Sequence, residues 1–199
     1  TLLAVAAGNE ICLMSANGKE RGKLHTEGPI RGLHWWAEPR LLLAGCKDEK
    51  VIAFDAAGER RWTFVSKMDP AVYEAAKTYW FKSAAGHEGV HGLHTGVFDE
   101  GQERCFVGSA CTLEILDRKG RLVQRTPVFW GPGRMFLLVD GPGDSKNLLI
   151  SRWRNGNDHL AIVNSQKMAV TGRGYSGVPA GHAYVGGWTA QNRTAVFYR

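Results

Sequence analysis

With 199 residues, 44% hydrophobic and 22% charged, the chain has the composition of an ordinary folded protein and excludes disordered or collagen-like classes. Its 25 Lys and Arg against 19 Asp and Glu give a net charge of +6, a balance that favours polyanionic partners without naming one. No run of about 18 apolar residues is present to cross a membrane as a helix, and Thr1-Leu2-Leu3 opens into a strand pattern without an export signal's basic and apolar regions.

In chain order, the first alternating strand is "ICLMS", ending at Ser15 before the turn "ANGKE". Next come "IRGLHWW", the apolar run "RLLLAG", and "VIAFD", ending at Asp55 before "AAGER". Residues near 69–85 then read as a helical insertion: Asp69 suits the N-cap, Pro70 the first helical position, and Gly86 the stop. Its stripe of Val72, Ala75, Ala76, Tyr79 and Trp80 packs over a sheet edge or forms a lid offering Tyr73, Tyr79 or Trp80 to a ligand. After it, "VHGLHTG" repeats the pattern of "IRGLHWW", and "LEILD" ends at Asp117 before "RKGRL". The segments "GRMFLLV", "NLLISRW" and "LAIVN", with its turn after Asn164, form another unit. The tail "GGWTAQNRTAVFYR" opens a fifth.

Aligning Ser15, Asp55, Asp117 and Asn164 gives intervals of 40, 62 and 47 residues, a base period near 40 with one large insertion. Units of about 40–45 residues with four short strands are the signature of β-propeller blades. The expected fold is therefore all-β: a single propeller array over residues 1–199, with about four blades and part of a fifth. The chain opens and closes at a blade's second strand, which reads as a fragment or half of a larger propeller, or as a chain that self-associates. The runs "RLLLAG" and "NLLISRW" predict strands buried on both faces, whereas "EKVIAFD" and "DHLAIVN" predict half-exposed ones.

Candidate functional residues follow from the repeat. Val90-His91-Gly92-Leu93-His94 superposes on Ile30-Arg31-Gly32-Leu33-His34, so Arg31 and His91 are equivalent, with Arg134 of "GPGRMFLLV" as a third. His34 and His94 form a second equivalent pair. The first strand of a blade lines the axial channel, so one of these sets would make an electropositive ring able to fork onto carboxylates or sulfates. The alternative is structural: an imidazole bonding a neighbouring hydroxyl or carboxylate to tie blades together. Period two would place His91 and His94 on opposite faces, as it would Trp35 and Trp36.

His87-Glu88-Gly89-Val90-His91 matches the zinc-peptidase pattern formally, but three glycines punctuate it, and the chemistry needs a helix. No metal site is assigned. Cys12, Cys46, Cys105 and Cys111 lack paired metal spacing, three of them sit in or beside strands, and they read as buried free thiols. Phosphate loops, nucleophile elbows and RNA-binding aromatic signatures are absent, which argues against nucleic acid as the partner.

The stretch "KVIAFDAAGERRWTF" (residues 50–64) resembles the repeat of quinoprotein-like (PQQ-like) propellers, with Trp62 in the Trp position. The segments "GPIRGLHWWAEPRLLLAG" and "GHEGVHGLHTGVFDEGQERCFVGS" resemble the strand transitions of WD-repeat propellers. A quinone-cofactor dehydrogenase would need a calcium site and a Trp stacked over the cofactor; no such set is identified, and no cofactor is assigned.

In outline the chain is also similar to propeller-type polysaccharide lyases. That resemblance implies an acidic glycan whose carboxylate is held by Arg31 or Arg134, with His34 and Trp80 as further binding residues. His91 or His94 would remove the C5 proton, and Tyr73 or Tyr79 would protonate the leaving oxygen. Glycan activity would favour an extracellular or periplasmic setting. The other function class is a non-catalytic scaffold that binds a protein or ligand in its funnel.

Overall fold

A computed structural model of the chain describes residues 2–71, 74, 89–109, 111–128, 133–141, 143–152, 160–174, 184–190 and 193–198. Strands β1 (Leu2–Ala7), β2 (Glu10–Ser15) and β3 (Glu20–His25) form the first sheet. The second holds β4 (Ile30–Trp36), β5 (Leu41–Cys46), β6 (Lys50–Phe54) and β7 (Arg60–Val65). The third holds β8 (Gly92–Val97), β9 (Glu103–Ser109), β10 (Thr112–Leu116) and β11 (Leu122–Pro127). The fourth holds β12 (Gly133–Asp140), β13 (Lys146–Arg152), β14 (Leu160–Asn164) and β15 (Ala169–Gly174), and β16 (Tyr184–Ala190) pairs with β17 (Arg193–Tyr198). Each sheet is an antiparallel meander in chain order.

The third-to-fourth-strand turns show why the period is legible. Asp55 Oδ1 accepts from the backbone N–H of Ala57 at 2.9 Å and of Glu59 at 3.0 Å. Asp117 Oδ1 accepts equivalently from Lys119 at 2.8 Å and Arg121 at 3.0 Å. Asn164 Oδ1 takes the N–H groups of Gln166 and Lys167, and Ser15 opens the same turn with its carbonyl accepting from Gly18 N–H. A short acceptor side chain replaces the ladder bonds that end at the turn. The left-handed turn position is held by Gly18, Gly58 and Gly120; in "SQKMA", Met168 takes it at φ 52°.

Among the described residues, three apolar layers hold neighbouring sheets face to face. Ile11, Ala44, Ile52 and Phe54 lie between the first and second sheets. Trp36, Leu43, Val51, Val90 and Val107 lie between the second and third, and Phe98, Phe106, Ile115, Leu148 and Val163 between the third and fourth. In β6, Ile52 and Phe54 face one layer while Val51 and Ala53 face the other, so the strand is buried on both faces. This corrects the half-exposed reading of "EKVIAFD": stacking on both sides leaves the third strand no solvent face. Along β14, Ala161 and Val163 are buried and Ile162 and Asn164 partly exposed, as the alternation predicts.

The innermost strands run side by side, β4 beside β8, β8 beside β12, and β12 beside β16. The junctions repeat: Ile30 N–H donates to the Gly8 carbonyl at 2.7 Å, and Val90 N–H to the Cys46 carbonyl at 2.9 Å. The alignment of Ile30 with Val90 is therefore a backbone equivalence. Gly89, at φ 84°, precedes that junction, and a Cβ there would sit 2.6 Å from the Lys47 carbonyl oxygen. Residues 89–91 are not helical, which removes the helix a zinc-peptidase motif needs there; His87 and Glu88 lie outside the described residues.

Side chains also join the sheets. Trp36 is 1% exposed and donates from Nε1 to Glu103 Oε2 at 2.9 Å, while Trp35 is 51% exposed, the predicted division between faces. Trp62 covers Gly120 so closely that a Cβ there would lie 2.5 Å from its ring. The Glu114 carboxylate is fully buried in β10; it accepts from Ser66 Oγ, from Lys67 N–H at 3.0 Å, and from Arg125 Nε and Nη2 at 3.0 and 2.9 Å. Burial pushes its pKa up, against the pull of these donors.

The same β10 fixes the start of the insertion, because Asp69 N–H donates to Thr112 Oγ1 at 3.0 Å. Asp69 Oδ1 accepts from Ala71 N–H at 3.0 Å, the expected N-cap bond, and residues 70, 71 and 74 are helical. The rest of the predicted helix lies outside the described residues.

Glu114→Ala would strand the Arg125 guanidinium and two further donors, and is expected to cost about 3–5 kcal/mol in urea unfolding. Gly120→Ala meets both a positive φ and the Trp62 ring, and is expected to cost about 1–3 kcal/mol. Denaturation curves of both variants check the two junctions.

Candidate functional site

The site is built where β4 and β8 lie side by side. In β4, Ile30 pairs with Cys46 and Gly32 with Gly45, leaving Arg31 as the extra residue of a β-bulge. In the third sheet Gly92 pairs with Gly108 while His91 N–H also donates to the Gly108 carbonyl at 2.7 Å, so two residues again face one. In β12, Gly133 pairs with Arg152 and Met135 with Ser151, which leaves Arg134 at the bulge. In β16 that position falls on Val185, between Tyr184 and Gly186, so the basic series stops there.

A bulge re-aims the side chain at its extra residue and shifts the alternation of faces. Period-two counting therefore does not carry across it, and the expected separation of His91 from His94 onto opposite faces does not follow. Equivalent positions on adjacent strands meet instead. Arg31 Nη1 lies 2.7 Å from Nδ1 and 2.5 Å from Nε2 of His91. A guanidinium can only donate, so the imidazole nitrogen it meets is the acceptor.

One turn of pleat further on, the His34 and His94 rings stand 5.6 Å apart between centroids, tilted by 58°. His34 Nε2 also shares a hydrogen bond of 2.9 Å with Thr95 Oγ1. The His94 ring is stacked near Phe106 and Phe136, each 6.4 Å away between centroids. All four basic residues are partly buried. Burial lowers the pKa of His34, with the neighbouring His94 adding to it, and burial alone lowers that of His94. Among the described residues the wall thus carries the permanent cation of Arg31, together with two imidazoles, His34 and His94, whose surroundings favour the uncharged form.

The structure brings together Arg31, His91, His34 and His94. It places the Arg134 backbone at the equivalent bulge of β12, next to β8, and nothing is described of that side chain. Tyr73, Tyr79 and Trp80 lie outside the described residues. Thr95, Phe106 and Phe136 were not singled out by sequence: Thr95 follows His94 in the strand where β4 has Trp35 after His34, and only the strand-to-strand offset shows the contact. Among the described residues no cluster of His, Cys, Asp and Glu could hold a metal ion. All four cysteines are free, with Cys46, Cys105 and Cys111 buried; burial pushes the Cys46 thiol up to about 11.

No protein-family model matches the sequence, and no curated protein sequence matches it. Solved structures do. The Dos1 propeller superposes with a TM-score of 0.55 at 15% identity, over 88% of this chain and 44% of that one. Dihydro-heme d1 dehydrogenase NirN, solved in complex with DHE, superposes with a TM-score of 0.62 at 12% identity, over 94% of this chain and 37% of that one. The fold is a β-propeller. The chain spans less than half the length of either structure, and at these identities the likeness establishes architecture alone.

The lowered pKa values carry a sign. Between the folded values and the unfolded value near 6.5, the unfolded chain binds more protons, so stability from His34 and His94 is present above that pH and lost as pH falls through the folded values. The melting temperature is therefore expected to fall on acidification from pH 7 to 5, and to fall less in His94→Gln than in the parent. Thermal melts across that range, with ring titrations followed by NMR, check both parts.

Proposed function

We propose that this propeller is a binding module whose inner wall takes an acidic glycan or a closely related anionic ligand. The observation that supports the reading is the meeting of equivalent positions on two adjacent innermost strands, Arg31 against His91 and His34 against His94. Arg presents a planar fork that matches a carboxylate or sulfate, and imidazoles add hydrogen bonds in either protonation state. The exposed ring of Trp35 and the net charge of +6 suit a polyanionic, partly apolar polymer. A propeller scaffold presents such residues on rigid strands, which lowers the ordering cost of binding.

A second reading adds β-eliminative cleavage of a uronate polymer. It is favoured by one observation: burial disfavours the protonated forms of His34, on β4 with the Arg31 guanidinium, and of His94, on β8. Arg31 or Arg134 would neutralise the uronate carboxylate and His91 or His94 would take the C5 proton, returning it after the leaving oxygen departs or passing it on through Tyr73 or Tyr79. His94 is packed against aromatic rings, so His91 is the better placed base. On either reading the setting would be extracellular or periplasmic.

Retention on immobilised polygalacturonate or heparin should fall with rising salt, and Arg31→Ala should lower affinity about tenfold. Equal binding by parent and variant would sink the reading. Growth of the unsaturated-uronate absorbance band in the same mixtures, lost in His91→Ala, would establish the lyase; binding without that band leaves the module non-catalytic.

A further inference from the structure

A second site lies between the first and second sheets, in a cavity of about 620 Å³ lined by Leu2, Ala4, Leu13, Leu24, Leu33, Leu42 and Trp35. Leu33, His34 and Trp35 come from β4, so the cavity borders the inner wall but reaches neither Arg31 nor His91; Arg40, Asp55 and Ala56 complete its lining. Its origin is readable row by row. Across the second sheet, Leu43, Ala53 and Trp62 stand in register and fill the layer toward the third. The corresponding row of the first sheet is Ala4, Leu13 and Gly22, facing the second. Leu has become Ala and Trp has become Gly at either end, and a Cβ placed on Gly22 would meet nothing within 4 Å. The layer is therefore underfilled where its neighbour is packed, and cores do not leave such space at no cost.

Its polar groups are unequal. The Asp55 carboxylate is occupied by two turn N–H groups and by Arg61 Nη1 at 3.7 Å. Arg40 is exposed, and its side chain has no ion pair or hydrogen bond among the described residues. It also stands at φ 68° in the turn between the first two strands, where the matching turns of the third and fourth sheets place Gly101 and Gly143 at φ 72° and 61°. A non-glycine residue in that region is strained, here an arginine at the edge of an apolar cavity. The volume lies in the range of small-molecule sites, which combine apolar walls with a few placed polar groups.

We propose that this cavity binds an apolar monocarboxylate, its hydrocarbon body against the Leu walls and Trp35 and its carboxylate paired with Arg40. The probe is decanoate, with decanol as the uncharged match, titrated calorimetrically into the whole chain. Decanoate is expected to bind one to one and about tenfold more tightly than decanol. Arg40→Gln should remove that difference and leave the weaker apolar binding. The double variant Ala4→Leu with Gly22→Trp rebuilds the second-sheet row; it should abolish binding of both while melting no lower than the parent. Arg40 has no part in the glycan reading, so retention of Arg40→Gln on acidic glycans should be unchanged, and failure here and failure of the glycan reading are separable. Absence of decanoate binding, equal affinity for decanol, persistence of binding in the filled variant, or a dimer in solution whose interface occludes Trp35 would each overturn the proposal.

Discussion

The architecture of this chain rests on its second and third sheets, whose middle strands have almost no solvent face. Strands such as β5 and β6 present apolar side chains on both sides, and a four-stranded sheet cannot cover both alone. Such a sheet must lie between two others, and with right-handed twist that stacking becomes an array about an axis. Stability is then shared among junctions: the apolar layers, the backbone bonds from Ile30 to Gly8 and Val90 to Cys46, and the buried Glu114 bridging the end of β7 to Arg125. Glu114 sits where an apolar residue would cost less desolvation, so its use is one of specification: it fixes where the chain leaves the second sheet and starts the insertion.

The same stacking creates the candidate site. Once the first strands of successive sheets are neighbours, any residue type repeated at one blade position becomes a cluster. The bulge sharpens this effect by re-aiming Arg31 and the residue equivalent to it toward the next strand. His34 shows the structural possibility weighed for it: its ring ties to Thr95 across the junction and stands 5.6 Å from that of His94. The underfilled layer between the first and second sheets is the converse case, in which a departure from the repeat leaves space instead of a cluster.

Much of the architecture was legible because turn chemistry is local. Ser15, Asp55, Asp117 and Asn164 all open the turns that their alignment assigned them, since a short acceptor before a left-handed residue has one efficient use. The equivalence of Arg31 with His91 was legible for the same reason, being carried by a repeated Gly-Leu-His. The bulge was not, because an extra residue is defined only against a partner strand. Nor was the burial of β6: alternation with Ala53 looks half-exposed until both neighbouring sheets are in place. The role of Glu114 left no trace in sequence either, since its donors come from residues up to 48 positions away.

The central claim is that β4 and β8 are adjacent walls with His34 beside His94. A variant with His34→Cys and His94→Cys, on a Cys12→Ser background that removes the one partly exposed native thiol, tests it directly with a short bismaleimide. The account predicts an intramolecular cross-link joining the peptides that contain residues 34 and 94, formed at low protein concentration and in folded chains only. A reaction giving only singly capped thiols or intermolecular products would contradict it.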